Sequence, residues 1–203
     1  MKLVFATANK GKLREAAEIL GSYEIVSPAE MGFTDDVEET GSTFKENSEI
    51  KAVATSEALG GIDCFADDSG LEVDALDGAP GIYSARYASL AGEGADHNFS
   101  DNIDRLLKEL EARPGASRRA RFRCVVTLLY KGEKVFFDGT CEGRIALGRA
   151  GCGGFGYDPV FVPDASPEGL TMAEMGEEFK NSISHRFKAL TKMAHWLSER
   201  ENG

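Results

Sequence analysis

Ile62-Asp63-Cys64-Phe65-Ala66-Asp67-Asp68-Ser69-Gly70 is an apolar run that ends abruptly in two acids, a hydroxyl and a glycine. Ile62 to Ala66 reads as a short buried strand, and a strand end is a rigid platform that holds side chains more accurately than a free loop does. Successive side chains of an extended segment point to opposite faces, so Asp67 and Asp68 face one site only if the chain bends, which Gly70 permits. On that reading one acid works and the other supports it. A carboxylate so placed can ligate a hard cation such as Mg2+ or act as a general base on water. The competing reading is a strand that simply ends in a polar turn.

Upstream, Lys2 to Thr7 is a strand candidate and Gly11 to Leu20 has helical spacing through Leu13, Ala16, Ala17 and Leu20. Between them lies Thr7-Ala8-Asn9-Lys10-Gly11-Lys12. A strand-to-helix turn gathers backbone N–H groups and the positive end of a helix dipole, a phosphate seat to which Lys12 adds charge. The turn reads equally as a plain helix cap with Asn9 as the capping residue. It is not a Walker loop, because Ala6 and Leu13 stand where that motif requires Gly and Ser or Thr. A short strand, Glu24 to Val26, precedes the acidic loop Asp35-Asp36-Val37-Glu38-Glu39-Thr40-Gly41. Thr43-x-x-Glu46 has the form of a capping box opening a helix to about Leu59, on which Asn47 and Lys51 share a face.

Downstream, the glycines and proline of Gly78 to Tyr87 fix a tight irregular path, and Phe99 to Leu110 is an amphipathic helix. Arg119, Arg121 and Arg123 alternate with Ala120, Phe122 and Cys124 along a strand to Tyr130, and Lys134 to Thr140 returns as its hairpin partner. The arginine face reads as solvent-exposed or as a subunit contact, with phosphate contact as the minority reading. Gly151-Cys152-Gly153-Gly154-Phe155-Gly156 contains a literal G-x-G-x-x-G, yet the dinucleotide fingerprint must open a helix and here Asp158-Pro159 follows. These glycines are expected to let backbone approach a flat ligand such as a purine, with Phe155 or Tyr157 stacking on it. Val160 to Val162 reads as a strand, Thr171-x-x-Glu174 as the cap of a short helix, and Leu190, Met193, Ala194 and Leu197 as the packed face of the last helix. Lys180 and Arg186 are donors only and His185 can donate, so the group favours a base that presents a carbonyl.

The whole chain, 203 residues with a formal net charge of -11, is long enough to bury roughly 70% of its unfolded surface. Its acidity argues against binding a nucleic-acid backbone, and no apolar run is long enough to span a bilayer, so a cytoplasmic protein is expected. Cys64, Cys124, Cys141 and Cys152 are irregularly spaced, which favours buried free thiols over a zinc site or disulfides.

Seven motifs now stand in one order: Thr7-x-Asn9-x-x-Lys12, Glu38-x-x-Gly41, Thr43-Phe44-x-Glu46-Asn47, Ala66 to Gly70, Gly78-Ala79-Pro80-Gly81-x-x-Ser84-Ala85-Arg86, Gly153 to Pro159 and Ile183-Ser184-His185-Arg186. In this the chain closely resembles the inosine triphosphate pyrophosphatase family, nearly end to end. Phe187 departs from the small residue expected after His-Arg. The resemblance implies an α/β fold, an elongated mixed β-sheet flanked by helices in a single domain of two lobes with a central cleft, assembled as a homodimer. It implies Mg2+-dependent hydrolysis of non-standard purine nucleoside triphosphates (ITP, dITP, XTP) to monophosphate and pyrophosphate. Asp68 would accept the proton and touch the metal, and Glu38 would be the second metal ligand, with Glu39 beside it as the alternative. Thr7, Ala8, Asn9, Lys10, Gly11, Lys12 and Ser69 would hold phosphates and sugar. Phe155, Gly156, Tyr157, Asp158, Lys180, His185 and Arg186 would hold the base. Two rivals remain at this level: a nucleotide sensor without turnover, and a dimeric aspartic protease suggested by Asp68-Ser69-Gly70.

Overall fold

The computed structural model describes residues 2–166 and 168–201. Among these, six strands form one sheet: β1 (Lys2–Phe5), β2 (Glu24–Val26), β3 (Cys64–Val73), β4 (Arg119–Tyr130), β5 (Glu133–Ile145) and β6 (Phe161–Pro163), in the order β2-β1-β3-β4-β5-β6. Five helices accompany them: α1 (Lys10–Ile19), α2 (Phe44–Ala58), α3 (Phe99–Glu111), α4 (Glu177–Ile183) and α5 (His185–Glu201). β1 pairs in parallel with both β2 and β3, whereas β5 and β6 are antiparallel, so the sheet is mixed and the fold is α/β. Parallel neighbours need a crossover connection, and α1 and α2 lie in those crossovers. β4 and β5 are joined by Lys131-Gly132 with φ of +48° and +81°, the primed-turn geometry that a two-residue hairpin demands.

The chain divides into two compact units. The first comprises the chain up to Asp68, Cys124–Gly139 and the chain from His185; the second comprises Ser69–Arg123 and Thr140–Ser184. In the first unit Leu3, Phe5, Phe65, Val126 and Leu128 pack with Ala16 and Leu20 of α1 and Leu190, Met193 and Leu197 of α5. Phe5 and Phe65, partners in the β1–β3 register, stack at 4.4 Å. A second cluster, around Val4, Cys64 and Ala66, packs against Ala52 of α2. β3 is thus apolar on both sides, as expected of an interior strand with both faces covered. In the second unit Leu71, Val73, Phe122, Ile145 and Phe161 pack against Ile103, Leu106 and Leu110, the apolar stripe of α3.

Three sequence expectations change. β3 does not stop at Ala66 but runs through the acids to Val73, because Leu71 and Val73 resume the buried apolar pattern. β5 likewise runs past Thr140, with Cys141, Gly143 and Ile145 inward and Glu142 and Arg144 outward. Glu174 Oε2 accepts from Thr171 N–H, one half of a capping box, but Glu174 N–H donates to the Thr171 carbonyl rather than to its hydroxyl, and no helix follows until Glu177. The backbone there is engaged elsewhere: Met172 N–H donates to the Phe161 carbonyl, Ala173 N–H to that of Asp158, and the Ala173 carbonyl accepts from Gly153.

One close approach in the first unit sets a test. A methyl group at Gly139 of β5 would lie 2.0 Å from the His185 carbonyl oxygen and 2.7 Å from the Ala189 nitrogen, both backbone atoms of α5. Gly139→Ala is therefore expected to destabilise the fold by about 1–3 kcal/mol or more, read as a lowered urea midpoint.

Candidate active site

Within the first unit, strand alternation sorts the two acids of β3 into different surroundings. Asp67 is 1% exposed, and its carboxylate receives Lys12 Nζ of α1 on Oδ1 at 2.8 Å and Arg186 Nε of α5 on Oδ2 at 3.0 Å. The Arg186 guanidinium, itself 2% exposed, also donates from Nη1 to Glu15 Oε2 at 2.5 Å. Burial alone pushes Asp67 up, but Lys12, Arg186 and Lys51 together outweigh it and hold the carboxyl well below the usual range. Asp67 is an ionised anchor.

Asp68 accepts from Nδ2 of Asn47 at 3.2 Å on Oδ2, while its Oδ1 lies 3.5 Å from Lys51 Nζ. That ammonium is 2.5 Å from Glu39 Oε1, so two carboxylates converge on one cation position. Burial, aided by Glu39, raises Asp68 above the ordinary carboxylate value despite the opposing pull of Lys51. A carboxylate with a raised pKa is the better proton acceptor. Among the described residues no three His, Cys, Asp or Glu side chains form a ready metal cage. An oxygen-only pair that draws a cation suits Mg2+, which keeps most of its waters. Glu38, the expected second ligand, is exposed, and Glu39 is the acid that meets Lys51.

At the start of α1, Asn9 Oδ1 accepts from the N–H groups of Gly11 and Lys12, and Thr7 Oγ1 accepts from Asn9 N–H. The helix-cap reading of this turn is borne out. Ala8, Lys10 and Gly11 are exposed around it, and His185, half-buried, opens α5.

In the second unit the glycine-rich loop is folded on itself. Asp158 Oδ2 accepts from Phe155 N–H at 2.7 Å and from Lys180 Nζ at 2.6 Å, and the ammonium lies 4.7 Å from the centre of the Phe155 ring. Phe155 is 51% exposed. Tyr157, by contrast, is 1% exposed and donates its hydroxyl hydrogen to the Ser84 carbonyl at 2.9 Å, so of the two expected stacking rings only Phe155 presents a face. The glycines are required by the protein's own packing: a methyl at Gly151 or Gly153 would meet Ala173 backbone at 2.5 Å and 2.9 Å, and one at Gly154 would meet Asp158 Oδ2 at 2.1 Å. Ser69 is half-buried in β3 and Gly156 adopts φ +65°. Arg119, Arg121 and Arg123 pair with Glu72, Asp74, Glu142 and Asp164 on a partly exposed face.

The sequence profile of the Ham1 family matches residues 3–196. The chain belongs to the Ham1 family. It is 51% identical over 203 residues to the dITP/XTP pyrophosphatase of Desulforamulus reducens, covering 98% of this chain and 96% of that one. To the dITP/XTP pyrophosphatase of Halalkalibacterium halodurans it is 45% identical over 96% of this chain and 97% of the other. The solved Ham1 protein of Staphylococcus aureus superposes with a TM-score of 0.86 at 40% identity, covering 98% of this chain and all of that one. A HAM1 protein of Coxiella burnetii gives 0.87 at 37% identity, covering 98% and 99%.

In this Ham1 chain sequence reasoning missed Glu15 and the link from Glu39 to Lys51. Glu15 gave no local signal of its role, since the cation it meets is Arg186 of α5 and not its helix neighbour Lys12, which goes to Asp67. Arg186 was expected to reach a base, but its guanidinium is enclosed between Asp67 and Glu15. Cys152 is the exception to the expected buried thiols, being exposed.

The neighbouring acids should behave oppositely in stability measurements. A depressed carboxyl adds stability that is present above its unfolded value, near 4, and lost as pH falls through the folded value; a raised one opposes folding once ionised. Asp67→Asn is therefore expected to lower the urea midpoint at pH 7 and to flatten its fall below about pH 4, whereas Asp68→Asn raises the midpoint at pH 7. Arg186→Leu, which strands two carboxylates, should cost about 3–5 kcal/mol by the same titration.

Proposed function

We propose that this chain hydrolyses non-standard purine nucleoside triphosphates, dITP, ITP and XTP, at the α–β anhydride to give monophosphate and pyrophosphate. The observation that carries the reading is the pair of adjacent acids with opposite tendencies: Asp67 held ionised by two cations and Asp68 raised beside Lys51. The names of the relatives point the same way. Asp68 accepts the proton of a water that attacks the α-phosphorus. Lys12 and Lys51 donate to phosphate oxygens, compensating charge that develops on the leaving pyrophosphate. Asp68 and the Glu38-Glu39 pair would hold Mg2+, which when bound supplies charge neutralisation for the polyphosphate. The turn from Thr7 to Lys12, with Ser69, serves phosphates and sugar.

On the base side Phe155 stacks on the purine, and Lys180, held by Asp158, offers a donor to a 6-carbonyl. Gly156 and His185 complete the base contacts carried over from the family resemblance, while Tyr157 and Arg186 act by supporting their neighbours. An amine at position 6 leaves a buried donor unpaired, at about 1–3 kcal/mol per group. We propose a cytoplasmic homodimer as the working form, as the resemblance implies. Among the described residues no helix is long and apolar enough to cross a membrane. The net charge of -11 supports the absence of a nucleic-acid partner.

The test is pyrophosphate release from dITP, ITP, XTP, ATP and GTP with and without Mg2+. Release from the first three with Mg2+, weak release from ATP and none without metal are expected; binding without release would replace the enzyme by a sensor. Asp68→Asn should lower kcat by roughly 10²–10⁴-fold. Phe155→Ala should raise KM for dITP by about 5- to 150-fold, the equivalent of a lost base–aromatic stack.

A further inference from the structure

Asn47 lies in the second turn of α2, 1% exposed, and both ends of its amide are engaged. Oδ1 accepts from Gly41 N–H at 2.8 Å and Nδ2 donates to Asp68 Oδ2 at 3.2 Å. The sense of the amide is fixed by chemistry, since a backbone N–H can only donate and an ionised carboxylate can only accept. The side chain thus ties the end of the acidic loop, which carries Glu38 and Glu39, to the acid on β3. Gly41 is shaped for this contact: a methyl there would lie 2.7 Å from Asn47 Oδ1. Asn47 is not needed to start its helix, because Thr43 Oγ1 caps α2 by accepting from Glu46 N–H and Glu46 holds Ser42 in return.

We propose that Asn47 is a positioning residue: it turns Oδ2 of Asp68 aside so that Oδ1 faces the cation position shared with the acidic loop, and it sets the separation of loop and acid. The inference rests on the reading of Asp68 as metal ligand and proton acceptor. Outer hydrogen-bond partners of a metal site typically account for 10- to 100-fold in metal affinity or activity.

Two substitutions divide the role. Asn47→Asp keeps an oxygen for Gly41 N–H but replaces the donor to Asp68 by an anion, whereas Asn47→Leu removes both bonds. Thr43→Ala, which removes only the cap of the same helix, controls for general loosening. For each full-length chain, kcat and KM for dITP with Mg2+, Tm, and nucleotide-free Mn2+ binding by electron paramagnetic resonance are measured. Both Asn47 variants are expected to lose roughly 10- to 100-fold in kcat with KM changed less than about threefold, and Asn47→Leu to bind Mn2+ roughly tenfold or more weakly. Thr43→Ala should lower Tm with kcat within about twofold of the parent. Unchanged kcat in both Asn47 variants, unchanged Mn2+ affinity in Asn47→Leu, or an equal kcat loss in Thr43→Ala would overturn the inference. A parent chain that binds Mn2+ but releases no pyrophosphate would instead overturn the enzyme reading, and the Mn2+ comparison alone then decides the role of Asn47.

Discussion

The first unit depends on one carboxylate taken out of water. Asp67 is tolerable in that place only because cations reach both of its oxygens, Lys12 from α1 and Arg186 from α5. Neither helix has an acid in its first turn, and both carry a cation there, at the end where the helix dipole disfavours positive charge. Asp67, with Glu15, supplies the missing negative charge for both. The apolar packing of Leu20, Leu190 and Met193 holds the same two helices together, but packing of that kind is tolerant of small shifts. A buried ion pair is not, because its geometry decides whether attraction offsets desolvation.

Alternation along β3 then does the chemical sorting. A step of one residue turns the next side chain to the other face, so an acid held by Lys12 and Arg186 is followed by one that meets the Lys51 ammonium and the Asn47 amide. No bend at Gly70 is required. Had the chain bent so that both acids faced one place, each would have raised the other's pKa, and the distinction between anchor and base would have been lost.

Much of this was legible in the sequence because the relevant signals are local. The strand and helix periods gave β1, α1, α2, α3 and β4 nearly to the residue, and Asn9 announced its cap; Lys12 and Arg186 read toward phosphate and base, and the acid they share, Asp67, is met only through the fold. What failed was non-local. The Thr171 box is a helix-start pattern whose backbone is claimed by Phe161 of β6 and by Asp158 in the turn before it. Tyr157 and Phe155 are equivalent by composition, and only the packed structure shows one ring tied to Ser84 and the other exposed. The glycines of 151–154 also make room for Ala173 and Asp158, a demand that no local pattern announces.

The same pairing explains why an acidic chain can serve an anionic substrate and why a cation belongs in the reading. Lys12, Lys51, Lys180 and Arg186 each already have a carboxylate within ion-pair distance. A polyphosphate must therefore compete for ammonium groups that are partly neutralised. At Lys51 the competitor is the acidic cluster itself, Glu39 and Asp68. Were Glu39 and Asp68 to hold a divalent ion, their pull on the Lys51 ammonium would weaken and Lys51 would be available to phosphate oxygens. Metal and substrate would thus favour one another at this position, while Lys12, held by an acid that stays ionised, keeps its place throughout.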